Sequence, residues 1–120
     1  MLTGDADSNL HAYWDNLPGS DCKFCNDKVS CLNRAIVFAS NLKPVSRAAA
    51  RNTETAAWLK ESFDYARSKI YQAPIGTGDG PYTIVPLSSY DFKAYRLAQK
   101  RIALAGARLA WILNKRAKVT

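Results

Sequence analysis

His11 is the only histidine of the chain, and Asp15 follows it four residues later. If this stretch is helical, i and i+4 side chains share one face and the imidazole and carboxylate tips meet. Both groups are ordinary zinc donors, and the spacing suits one shared divalent ion. It suits equally well an aspartate that fixes a histidine tautomer, or a plain surface pair. Cys22, Cys25 and Cys31 come directly after this segment. They are compatible with one loop-stapling disulfide plus an odd thiol, with three free thiols, or with a loosely spaced zinc site that includes His11. A thioredoxin-like Cys-x-x-Cys needs a βαβ context, which the surrounding sequence lacks.

Basic residues form the other set with possible chemistry. Lys43, Arg47 and Arg51 make one cluster of candidate phosphate contacts. Lys93, Arg96 and Lys100 line one side of the last predicted helix, and Arg101, Arg108 and Lys115 line another at heptad spacing. Such stripes are either solvated faces or tracks for phosphates. Gly76-Thr77-Gly78-Asp79-Gly80 is rich in glycine, but it lacks the Lys-Ser/Thr of a phosphate loop and the preceding strand of a dinucleotide site.

The elements that must position these residues read as helices. Ser8 or Asn9 caps a first short helix closed by Pro18-Gly19. A second runs from Asp27 to Leu42, stops before Lys43-Pro44, and carries Val29, Leu32, Ile36 and Ala39 at helical spacing. The segment Val45 to Arg51 is a short helix or a connector. Asn52 or Thr53 caps a third helix that ends near Tyr71, with Leu59, Phe63, Ala66 and Ile70 as its expected buried stripe. Gln72 to Leu87, rich in Pro and Gly, is a connector in which Tyr82 to Val85 can form at most an edge strand. The last helix starts near Ser88 or Ser89 and runs to about Lys115. Tyr95, Ala98, Ile102, Ala105, Leu109 and Ile112 form its expected seam. The fold class is therefore all-α, an irregular helical bundle with long connectors.

At 120 residues and 48% hydrophobic side chains, one domain spanning 1–120 is the expectation. Seventeen Lys and Arg against ten Asp and Glu leave a net charge of +7, which favours a polyanionic partner. The sequence has no apolar run of the roughly 18 residues that a membrane span needs, and Met1 to Asp7 is not a secretory signal.

The wording around His11 carries a resemblance. Asn9-Leu10-His11, Trp14-Asp15 and Leu17-Pro18-Gly19 resemble the "NLHxxWD…LPG" segment of the S1/P1 nuclease family, zinc-dependent single-strand nucleases and 3′-nucleotidases related to phospholipase C. Ala103-Leu104-Ala105-Gly106-Ala107-Arg108-Leu109-Ala110-Trp111-Ile112-Leu113-Asn114, preceded by Tyr90 and Tyr95, resembles that family's last helix. Trp58-x-x-Glu61-Ser62, Ala66-Arg67 and Ile70-Tyr71 resemble its penultimate long helix. The order of the three segments is that of the C-terminal portion of the P1 nuclease/phospholipase C fold.

The resemblance implies a three-zinc cluster and hydrolysis of phosphodiester bonds in single-stranded DNA or RNA by a zinc-activated water. It makes His11 and Asp15 two ligands of one zinc. It also implies a missing N-terminal half bearing the remaining donors, since Met1 stands where the family has an amino-terminal Trp and no second histidine is present. Family members are usually secreted or periplasmic. The chain alone is then expected to be an inactive C-terminal fragment with one apolar face exposed. A non-catalytic basic helical module that binds nucleic acid, or a protein-interaction module that docks through its last helix, is the alternative.

Overall fold

The computed structural model describes residues 2–3, 10–18, 27–76 and 82–118. Among these, β1 (Leu2–Thr3), α1 (Leu10–Asn16), α2 (Lys28–Ser40), α3 (Arg47–Arg51), α4 (Thr55–Tyr65), a π-helical turn (Ala66–Ile70), β2 (Thr83–Ile84) and α5 (Ser89–Ala117) follow in order. The fold is all-α apart from the two short strands, which pair antiparallel with Leu2 opposite Ile84 and Thr3 opposite Thr83. The edge strand in the connector is therefore real, and its partner is the start of the chain.

Helix boundaries follow local chemistry. Asp27 caps α2 by accepting the Ser30 N–H at 2.8 Å. Ser46 caps α3, and Ser88 caps α5 through the Asp91 N–H. Lys43-Pro44 lies beyond the end of α2, as its sequence dictates. The expected cap of the third helix is a correction. Asn52 ends α3 and accepts the Trp58 indole N–H at 2.7 Å through its carbonyl, while α4 begins after Glu54 without a side-chain cap.

The 29-residue α5, about 43 Å long, is the spine. Its first turns meet α1 in a core of Tyr13, Ile75, Ile84, Tyr90 and Ala94. One turn on, Tyr95 meets Phe38 of α2 edge to face, with ring centroids 5.2 Å apart. Further along, Arg101 and Arg108 reach Glu61 of α4, and Arg108 also donates to the Ala49 carbonyl of α3.

The expected apolar stripes are the main correction. Val29, Leu32 and Ile36 are exposed, and α2 buries Cys31 and Phe38 instead. On α4, Leu59 and Phe63 are 74% and 63% exposed. On α5, the buried set is Tyr90, Ala94, Leu97, Ala98 and Arg108, and from the expected seam Ile102, Ala105 and Leu109 face outward. Between α4 and α5 the bridging residue is Glu61. It turns toward Arg101 and Arg108, so these two helices are linked by ion pairs, and a pattern of apolar spacing passes over the charged positions that make the link.

This packing leaves the molecule open. Its accessible surface is 8823 Å2, against about 6,500 Å2 for a closed globule of 13.3 kDa. The radius of gyration is 16.4 Å, where a compact chain of this length gives about 14 Å.

Candidate metal-donor helix

α1 is amphipathic over only two turns. Leu10, Tyr13, Trp14 and Leu17 face the core, and His11 and Asp15 take the opposite rim, with side chains 85% and 69% exposed. The i, i+4 spacing does what it should: His11 Nε2 and Asp15 Oδ2 are 3.0 Å apart.

The helix is held in place by Tyr13, which lies between the two donors in sequence. Its ring packs against Trp14 and Tyr90, with centroids 6.1 and 6.2 Å away. Its hydroxyl donates to Asp91 Oδ1 at 2.5 Å. The other carboxylate oxygen of Asp91 accepts the Leu87 N–H at 3.0 Å, the residue that enters α5 with a φ of 62°. Burial, and then the bond to Asp91, push the Tyr13 hydroxyl far above its ordinary range. Tyr13 therefore stays protonated and serves as a hydrogen-bond donor, not as an acid or base.

The donor pair fits part of a zinc site. Zinc–nitrogen and zinc–oxygen bonds of about 2.0–2.2 Å at a tetrahedral angle place two donors about 3.3 Å apart, close to the observed 3.0 Å. A catalytic zinc takes three protein donors. Among the described residues no group of three or more His, Cys, Asp or Glu could hold a metal ion. His11 and Asp15 therefore fit as two donors of a larger set, and they do not form a complete site by themselves.

Cys31 is buried and disulfide-bonded, whereas Cys22 and Cys25 lie outside the described residues. Of the candidate phosphate contacts, Lys43 is exposed beyond α2, and Arg47 and Arg51 lay their guanidinium groups over the Trp111 ring at 5.9 and 5.1 Å. Of the α5 stripe of Arg101, Arg108 and Lys115, Arg108 is buried, Arg101 is half-buried and Lys115 is exposed. Arg108, 6% exposed, donates two bonds to Glu61, at 2.7 and 2.9 Å, and stacks on Trp58 at 5.4 Å. Arg101 adds a third, at 3.0 Å. These bonds, led by Arg108, hold the Glu61 carboxyl down at about 2 against the cost of its burial.

Three residues that matter here had no chemical reading in the sequence. Asp91 carries the signal of a helix start, three positions after the capping Ser88, but not the signal of a distant tyrosine. Glu61 and Lys69 sit on a helix face whose partner is set only by tertiary packing.

The fold is all-α, the chain is basic, and α1 pairs His11 with Asp15 on an exposed face. A model of the S1/P1 Nuclease family matches residues 2–118, and the chain belongs to that family. No curated protein and no solved structure matches it. The family is one of nucleases and is zinc-dependent.

Proposed function

We propose that the chain is the C-terminal part of a zinc-dependent S1/P1-type nuclease domain, hydrolysing phosphodiester bonds of single-stranded nucleic acid, and that His11 and Asp15 are two ligands of one of its zinc ions. The observation that carries this reading is the 3.0 Å pairing of His11 Nε2 with Asp15 Oδ2 on an exposed face, in a chain of this family. When bound, zinc supplies a water acidified toward neutral pH and neutralises charge on the attacked phosphate. The chain's own residues hold and orient. Tyr13 and Asp91 fix the helix that presents both donors, and the exposure of the pair leaves room for a third donor and a substrate. With two donors alone, the 120 residues bind zinc weakly and do not cleave; the remaining donors come from a complementary segment.

The test is zinc titration by calorimetry, with cleavage of a fluorescent single-stranded oligonucleotide followed in parallel. Weak, stoichiometric zinc uptake that disappears in both His11→Ala and Asp15→Asn is the expected result. Wild type taking up no more zinc than His11→Ala overturns the assignment.

A further inference from the structure

Four cations that make no ion pair among the described residues surround one concavity. Lys93, Arg96 and Lys100 of α5 and Lys69 of the π-helical turn line a cavity of about 480 Å3, with Trp14, Tyr65 and Tyr90 contributing to its aromatic wall. Among the described residues no Asp or Glu lines it. Among the described residues none of the four makes an ion pair, whereas Arg101 and Arg108 share Glu61, and Lys60 pairs with Asp64. Like charges at i, i+3 and i+7 of one helix repel, and a fourth from another element adds to that cost. A bound anion relieves it.

The cavity also has a direction. A second concavity, about 370 Å3, is lined by Asp15 and Arg101 and shares Trp14, Tyr65 and Leu97 with the first. The two concavities adjoin at these three side chains, one reaching the Asp15 carboxylate and the other the four cations.

We infer that the two together are a strand-binding subsite, in which Lys69, Lys93, Arg96 and Lys100 hold phosphates of single-stranded nucleic acid flanking the bond at the His11–Asp15 end. The inference takes its choice of polyanion from the function proposed above. The cavity adds its own argument: at about 480 Å3 it has room for a nucleotide and is walled by aromatic rings, the combination that single strands use, where an acidic peptide or an anionic membrane needs only a flat basic patch.

The experiment measures fluorescence anisotropy of labelled oligo(dT) with the 120-residue protein in EDTA, so that no zinc takes part. Wild type is compared with Lys93→Gln/Arg96→Gln and with a charge-matched control, Lys115→Gln/Lys118→Gln. All four positions are exposed, and circular dichroism verifies that each variant folds. At about 0.1 M salt the cavity variant is expected to bind at least tenfold more weakly and the control less than twofold. The salt slope of the cavity variant should fall by about 1.4, or roughly 0.7 for each phosphate contact removed. Equal losses in both variants mean general attraction to net charge and overturn the subsite, as does polyglutamate binding as tightly as oligo(dT). Because EDTA keeps zinc out of this assay, its outcome does not depend on the zinc titration, and a failed zinc assignment and a failed subsite give different results.

Discussion

The Tyr13 hydroxyl donates to the Asp91 carboxylate across 78 residues of sequence, and this bond ties the helix that carries His11 and Asp15 to the capped start of α5. Tyr13→Phe keeps the ring in the core and removes only the bond. A hydrogen bond to an ionised acceptor contributes about 1.5–3 kcal/mol. Urea denaturation of Tyr13→Phe should show a loss in that range, and zinc affinity should fall with it, because α1 is then held by packing alone. Asp91→Ala should cost more, since it also strands the Leu87 N–H. A Tyr13→Phe with unchanged stability and zinc uptake would show that the bond positions nothing.

Acid should loosen the opposite half of the molecule. The Glu61 carboxyl sits at about 2 in the folded chain against 4.5 when free. Between these values the unfolded state binds more protons, so the contribution is fully present above about pH 4.5 and is lost as the pH falls toward 2. With the side chain 30% exposed, solvent screening reduces the effect to on the order of 2 kcal/mol. In Glu61→Gln this part of the acid transition should vanish. The variant should also be less stable at neutral pH by about 3 kcal/mol, because Arg108 is left buried without a counter-charge. Unfolding midpoints from pH 7 down to 2, in wild type and variant, check both parts.

What could be read from the sequence depended on how local the cause was. The pairing of His11 with Asp15, the helix starts at Asp27 and Ser88, and the stop before Pro44 rest on chemistry within four residues, and the positions follow from spacing alone. The burial pattern of α4 and α5 did not follow, because Glu61 finds its arginines 40 and 47 residues away. The π-helical turn at Ala66–Ile70 escaped for a similar reason: nothing in its five side chains departs from ordinary helical spacing. It brings Lys69 to the same cavity as Lys93, Arg96 and Lys100, a meeting that no stripe on a single helix can foretell.

The outward stripe on α4 makes the last prediction. Leu59 and Phe63 lie one turn apart on the exposed side of α4, with Arg67 a turn further on and its guanidinium 5.9 Å from the Phe63 ring. Large apolar side chains this exposed contribute little to the stability of the chain that carries them, but they add to the surface left open beside α2 and α5. Leu59→Ser/Phe63→Ser should therefore shift the denaturation midpoint by less than the equivalent of about 1 kcal/mol, whereas a buried pair would cost several times that. The same variant should remain monomeric in sedimentation velocity at concentrations where wild type associates. A large stability loss would mean that the α4 face is covered in solution and that the ion-paired side is not the inner one. Unchanged association would move the adhesive surface to Val29, Leu32 and Ile36 of α2, where the same substitution can be repeated.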